Sequence, residues 1–318
     1  MIMQLSLIVP CYNEEYNLNA FYQAVKPILM QHAPNHEIIF INDGSRDDSL
    51  RKLIELSRSD VSVRILDLSR NFGKEAALTA GLDVASGDAV IPMDADLQHP
   101  PELIPALLER WREGFDMVLA RRQSRRVDHP AQQFMARAFY RLHNLLSDTT
   151  IPEEVGDFRL MDRRVIEALR CLPESRRFMK GIYAWVGFRT SSIEFDVATR
   201  HTGQSRYSGR KLLHLALEGI TSFSIIPLRI WTYIGSLISI IALFSGLWIV
   251  AKTIFYGTDL PGYPSLFSAI LLLGGVQLIG IGVLGEYIGR IYSEVKHRPI
   301  YLVREQIGFQ NSNLEKNR

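Results

Sequence analysis

From Ile230 to Ala251 the chain carries no charged side chain, and a second uncharged stretch runs from Leu266 to Gly285, ending just before Glu286. Each run is long enough to cross a hydrocarbon core of about 30 Å. The competing reading is a buried hairpin in a large soluble protein, but both runs exceed the usual length of a buried helix. The segment 230–289 is therefore predicted to form two transmembrane helices with a short loop between them. That loop, 252–265, holds only Lys252 and Asp259 as charges. Arg210, Lys211 and Arg229 precede the first run, and Arg290, Lys296, Arg298 and Arg304 follow the second. The excess of positive charge on the outer flanks places the large N-terminal part (1–210) and the tail (290–318) together in the cytoplasm. Two crossings return the chain to the side on which it began.

The N-terminal part alternates between two kinds of segment. LSLIVP (5–10) is a continuous apolar run closed by proline, as expected of a buried parallel strand. Further strands are predicted at EIIFIND (37–43), VRILDLS (63–69), AVIPMDAD (89–96) and MVLARR (117–122). Helices fall between them: Asn17 to Met30 with a kink at Pro27, a segment capped near Ser45-Arg46-Asp47-Asp48, KEAALTAGLDVAS (74–86), and PPELIPALLERWREG (100–114). Such alternation predicts an α/β domain with a mainly parallel sheet and helices on both faces. Beyond residue 130 the pattern loosens. A helix is expected from Ala131 to Ser147, another ending near Leu172, and a strand at SSIEFDVA (191–198). Within 211–229, the part from Lys211 to Ser224 has apolar residues at helical spacing, and reads as an amphipathic helix lying on the membrane surface rather than a plain packing helix.

Composition narrows the function classes. The formal net charge is only +2, which argues against nucleic acid as a partner. Cys11 and Cys171 are far apart in sequence, so a reduced compartment without a disulfide framework is expected. The stretch before CYNEE is too short, and lacks the basic lead, for a secretory signal. The final residues are expected to be disordered.

Three polar clusters, CYNEE, NDGS and DADLQ, each follow a predicted strand. In open α/β sheets ligands sit at the carboxyl ends of strands. Asp94, Asp96 and Gln98 alternate and would bring three oxygen donors to one point. Hard oxygen ligands in small number suit Mg²⁺ or Mn²⁺, which share their coordination with substrate phosphates. Asp43 could accept a hydrogen bond from a base N–H, and Glu14 could do the same or bind ribose. Ser45 is expected to cap the next helix. His99, followed by two prolines, is expected to shape a helix entry rather than bind metal.

VPCYNEE, INDGS, DADLQHPPE, GDFRLMDRR and GEYIGRIYSEVKHRP, together with the two uncharged runs, resemble the family 2 glycosyltransferases that act on polyprenyl phosphates. Within them the bactoprenol (undecaprenyl-phosphate) glucosyltransferases are the type most resembled, with dolichyl-phosphate mannosyltransferases and aminoarabinose transferases as relatives. The resemblance implies a GT-A (Rossmann-like) fold, a nucleotide-sugar donor such as UDP-glucose, a divalent metal, inversion at the anomeric carbon, a bacterial inner-membrane location and a homo-oligomer, with a tetramer as the expected form. Carried over by motif, Pro10, Tyr12, Glu14, Asp43 and Asp94 would line the nucleotide pocket. Asp94, Asp96 and Gln98 would hold the metal and diphosphate, with Asp96 catalytic. Asn42 departs from relatives that carry aspartate there. Asp157 in GDFRL is expected in the active site, as a base or as an orienting group, against the alternative of an ion pair with Arg159 or Arg163.

The acceptor in this reading is a lipid phosphate, an anion already at neutral pH. It needs cations more than a base. Arg121, Arg122, Arg125 and Arg126 crowd one strand end, and Arg200, Arg206, Arg210 and Lys211 precede the surface helix. Arg121, Arg200 and Arg206 are the candidates for gripping that phosphate, since a forked guanidinium suits it. Other readings are GDP-mannose as donor, a UDP-aminopentose donor, or a catalytically silent scaffold for a flippase.

Overall fold

The computed structural model describes residues 4–122, 155–195 apart from position 176, helical residues interspersed through 230–255, and 262–309. The expected helices at 131–147 and 211–224, and Arg125, Arg126, Arg200, Arg206, Arg210 and Lys211, lie outside the described residues.

Strand β1 (Leu5–Cys11) leads to helix α1 (Leu18–His32), which runs on through Pro27. Then come β2 (His36–Asn42), α2 (Ser49–Ser59), β3 (Val63–Leu68), α3 (Lys74–Val84), β4 (Ala89–Pro92) and, after a short 3-10 turn, α4 (Ile104–Arg112). β5 (Met117–Arg122) precedes β6 (Val155–Asp162), α5 (Arg163–Arg170), α6 (Met179–Trp185) and β7 (Thr190–Phe195). A long helix α7 (Tyr263–Val295) and a last strand β8 (Val303–Ile307) close the described chain.

The strands form one eight-stranded sheet in the order β7-β5-β6-β4-β1-β2-β3-β8. β1 pairs in parallel with β2 and β4, and β2 with β3. β6 enters antiparallel between β4 and β5, and β8 adds antiparallel to β3. The chain order reverses beside β1, so a crevice opens beyond the carboxyl ends of β1 and β4.

Alternation along the buried strands feeds two cores. Leu7, Val9, Ile38 and Phe40 pack with α1, α2 and α4, whereas Ile8, Ile39, Ile41 and Leu66 pack with α3, α5 and α6. Burial on both faces explains why these strands read as unbroken apolar runs. α3 lies tight on β1: a Cβ added at Gly81 would fall 2.4 Å from Ile8 Cγ2.

Several expectations need correction. β4 stops at Pro92, so Asp94, Asp96 and Gln98 stand in a turn and not on an extended strand. Leu97 takes a φ of 55° there, which ends the alternation that would have aligned the three side chains. GDFRLMDRR, to which the sequence reading assigned no element, supplies the central strand β6. Of the segment expected as a tail, 290–318, the described part 290–309 is not separate, because α7 continues to Val295 and β8 belongs to the sheet. β8 is held by Arg304, whose guanidinium donates to Asp67 Oδ2 at 3.3 Å and to the Ser69 carbonyl at 2.7 Å.

In the C-terminal region the span Leu272–Val295 within α7 is long and apolar enough to cross a membrane, with none of it buried in the protein. It is the one such helix among the described residues. The described residues of the first uncharged run are helical, and Tyr233, Leu237, Phe244 and Trp248 among them are exposed.

Candidate active site

One cavity of about 300 Å³ opens at the crevice beyond β1 and β4. Pro10, Tyr12, Glu14, Asp43, Asp94 and Asp96 all line it, so the polar ends of β1, β2 and β4 converge as the topology requires. Gln98 is not among the lining residues; its backbone N–H donates to Asp96 Oδ1 at 3.1 Å, shaping the turn.

Asp43 uses both carboxylate oxygens on the chain itself. Phe72 N–H donates at 2.7 Å and Gly73 N–H at 2.9 Å, which fixes the loop entering α3. Burial lifts the Asp43 carboxyl, and those two N–H groups and Arg70 oppose the rise. Asn42 is buried and donates to Asp67 Oδ1 at 2.7 Å, so its amide serves the β2–β3 pair. Gly44, with a φ of 64°, brings this turn against the loop after β3; an added Cβ would meet the Arg70 carbonyl carbon at 2.4 Å. Ser45 does not cap α2. Its Oγ accepts from Asn13 N–H at 3.0 Å, tying the loop after β1 to the loop after β2, while Asp47 Oδ1 accepts from Ser49 N–H at 3.1 Å.

The cavity is electronegative. Burial raises the Glu14 carboxyl, Asn17 at 2.6 Å opposes this, and Asp96 and Asp94 raise it further. The buried Cys11 thiol is raised by its burial and then by Glu14 and Asp94. Crowded carboxylates of this kind attract a cation. Among the described residues no three His, Cys, Asp or Glu side chains form a ready metal cage. Two carboxylates with space for an anionic ligand fit Mg²⁺ or Mn²⁺, which keep few protein ligands and share the rest with phosphate.

Lys74, absent from the sequence reading, ties the site together. Its ammonium lies 2.8 Å from Asp94 and 2.9 Å from Asp157. Among the described residues Asp157 thus takes Lys74, and not Arg159 or Arg163, as its ion-pair partner, while the nearby Arg159 charge also favours its ionised form. Arg163 donates to the carbonyls of Ala85 and Gly87, and Arg159 to that of Gly156. Burial alone would raise the Asp157 carboxyl, but Lys74 and then Lys180 outweigh it and hold it at about 2. Burial likewise lowers the Lys74 ammonium, and Asp94 and Asp157 more than offset that. Glu75, next along α3, is raised to about 7 by burial and by Asp157. A lysine in the first turn of a helix opposes the macrodipole, and that misplacement was the available signal. Arg121 stands exposed near the end of β5, paired through its backbone with Val155 and Glu194. His99 is buried and stacks on Phe158 with centroids 5.0 Å apart, in keeping with a structural place at the helix entry.

The sheet order, the two helical layers and the crevice beyond β1 and β4 are those of a GT-A, Rossmann-like transferase domain. The fold is shared with the glucosyl-3-phosphoglycerate synthase of Mycobacterium tuberculosis, crystallised with Mn²⁺, UDP and phosphoglyceric acid, at a TM-score of 0.50 and 19% identity over 69% of this chain and 76% of that one.

Residues 6–170 match the Glycosyl transferase family 2, and residues 226–291 match the GtrB C-terminal hairpin. The chain belongs to glycosyl transferase family 2 and is a glycosyltransferase. It is 53% identical to the bactoprenol glucosyl transferase of Shigella phage SfV, over 96% of this chain and 99% of that one. It is 51% identical to a prophage bactoprenol glucosyl transferase homolog of Escherichia coli K12, over 95% and 99%. An uncharacterized glycosyltransferase of Synechocystis is 50% identical over 99% of both chains.

Proposed function

We propose that this chain transfers glucose from UDP-glucose to undecaprenyl phosphate, with inversion, at the cytoplasmic face of a bacterial plasma membrane. The observation that carries the reading is a single one. A chain 53% identical to a bactoprenol glucosyl transferase gathers its base-side residues and its Asp94–Asp96 turn in one cavity, beside Lys74 and Asp157.

In this reading Pro10, Tyr12, Glu14 and Asp43 contact the nucleoside. Asp94 and Asp96, with Gln98 in the same turn, would hold Mg²⁺ or Mn²⁺ against the diphosphate. A divalent ion bound there neutralises the charge of the leaving nucleoside diphosphate. Asp157 orients the reacting groups rather than taking a proton. A carboxyl held at about 2 is a poor base at neutral pH, and the acceptor phosphate is already ionised. Lys74 keeps two anionic substrates from repelling each other where they meet. Arg121, Arg200 and Arg206 grip the acceptor phosphate.

The membrane part is read as two spans, 230–289, preceded by a surface helix at 211–229. The place of β8 supports an even number of crossings, since both ends of the chain join one sheet. The description of residues 226–291 as a hairpin agrees with this. A homo-oligomer, read as a tetramer, is what the family resemblance implies.

The test is the purified full chain with undecaprenyl phosphate and a panel of labelled UDP-glucose, GDP-mannose and UDP-aminoarabinose. Lipid-linked glucose is expected, and turnover of GDP-mannose alone overturns the reading. Asp96→Ala should abolish transfer and leave membrane insertion intact. Undiminished transfer in that variant defeats the metal assignment, and no transfer by the native chain with any donor would favour a flippase scaffold.

A further inference from the structure

Glu294 lies in the last turn of α7, at the end of the span Leu272–Val295. An acid there opposes the helix macrodipole, so α7 gains nothing from it. Its carboxylate is spent on the soluble domain: Glu294 Oε2 accepts from the Ser175 N–H at 2.9 Å and from the Ser175 hydroxyl at 2.5 Å. Ser175 belongs to the irregular stretch between α5 and α6. Arg177 braces that stretch, donating to the carbonyls of Leu172 at 2.7 Å, Glu174 at 3.3 Å and Leu169 at 3.4 Å. A little further on, the Met179 N–H opens α6 by donating to Glu75 Oε2 at 3.2 Å. The start of α6 is thus held by two carboxylates. One comes from the membrane helix and the other from α3, the helix that carries Lys74.

We infer that Glu294 is a positioning residue for transfer: it fixes the spacing between the membrane helix and α6, and through α6 the place of Lys180 beside Asp157. The inference rests on the proposed function, which puts Asp157 and Lys74 at the reacting groups, and deepens it. α6 has seven residues, too few for a helix to be stable by itself. Its Met179, Ile182 and Tyr183 are buried against the sheet, and Lys180 acts with Lys74 on the Asp157 carboxyl. The stretch from Ser175 to Met179 reaches at most about 14 Å when extended, so a shift of Ser175 passes to Met179 with little slack. A donor held by a soluble domain and an acceptor held in a bilayer meet only when the domain sits at a set height. A misplacement of about 1 Å can cost about 100-fold in rate. β8 and the Tyr301 hydroxyl, which donates to Asp83 at 2.8 Å, also fasten the end of the chain, but to β3 and α3. The domain therefore stays attached when the Glu294 contact is removed.

The test compares the native full chain in detergent with Glu294→Ala, Glu294→Gln, Ser175→Ala and Tyr301→Phe. Hydrogen exchange is followed over Met179–Trp185, UDP is titrated with Mn²⁺ present, and kcat and the UDP-glucose KM are measured with undecaprenyl phosphate. Glu294→Ala should speed exchange in α6 and lower kcat, each about tenfold, the worth of a hydrogen bond to a charged group, with UDP affinity and the UDP-glucose KM unchanged. Glu294→Gln keeps an oxygen that accepts from the Ser175 N–H and should recover most of both. Ser175→Ala keeps that N–H and should fall between; it carries the same comparison if Glu294→Ala does not fold. Tyr301→Phe, which loosens the same end of the chain at α3, should match the native protein. Unchanged exchange in α6 of Glu294→Ala overturns the tether. Fast exchange with kcat within about twofold of native overturns the positioning role. An equal fall of kcat in Tyr301→Phe overturns it too, because any loosened anchor would then suffice. A native chain that never turns over UDP-glucose, with α6 still loosened by Glu294→Ala, refutes the proposed function and upholds the tether.

Discussion

Replacing Lys74 with methionine keeps most of the apolar stem and removes the ammonium that lies 2.8 Å from Asp94 and 2.9 Å from Asp157. The Asp157 side chain is only 15% exposed, so its charge is left without its nearest counter-ion. Breaking a buried ion pair costs about 3–5 kcal/mol. Because the Lys74 side chain is 44% exposed, solvent screens part of this, and about 2 kcal/mol is the appropriate figure. At about 1.4 kcal/mol per factor of ten, transfer should fall about 30-fold. The pH profile should move as well. In the native chain Asp157 stays ionised down to about pH 2; without Lys74 the largest charge opposing burial is lost, Lys180 and Arg159 remain, and the acid limb of the rate moves to higher pH. The assay is the rate of glucose transfer to undecaprenyl phosphate as a function of pH for the native chain, Lys74→Met and Lys74→Arg. The arginine variant should recover most of the rate. If Lys74→Met works within about threefold of the native rate with its acid limb unmoved, the ammonium does not govern Asp157 and the reasoning fails.

Other consequences are measurable. Glu75 is raised to about 7 in the folded chain from an ordinary 4.5, so the folded state holds its proton longer and stability falls as pH rises through that window. Glu75→Gln should therefore raise the melting temperature at pH 8, with a gain of at most about 3 kcal/mol, and change little at pH 4. Gly44→Ala should displace the loop holding Asn71 and Gly73 and weaken UDP binding by titration, because its Cβ would meet backbone at 2.4 Å. Truncation after Ile300 removes β8 and uncovers Asp67, now 1% exposed; the melting temperature of the detergent-purified protein should drop sharply, and an unchanged value would refute the pairing with β3. Chelation of divalent ions should stop transfer and restoration of Mg²⁺ or Mn²⁺ should recover it, as followed by lipid-linked label.

The repeating strand–helix order, the apolar content of β1, β2 and β4 and the polar clusters after them were legible because each is local. A strand buried on both faces has to be apolar throughout, and a ligand-binding turn has to follow it. Glu14, Asp43, Asp94 and Asp96 could be nominated on that ground, and Pro10 and Tyr12 through the family resemblance; all six meet in one cavity. Long-range pairing was not legible. β6 mixes Asp157 and Arg159 among apolar residues, so its periodicity is masked, and only the sheet shows it lying between β4 and β5. The same holds for β8, a mostly exposed edge strand with little apolar signal, whose pairing with β3 brings the end of the chain back to its beginning. Lys74, in α3, reaches Asp94 in the turn after β4 and Asp157 in β6, and that contact exists only once helix, turn and strand have packed. Sequence chose the chemical groups, since that choice is a matter of composition along a few residues. Tertiary packing chose which charges face each other, since electrostatic energy depends on distance through space and not on distance along the chain.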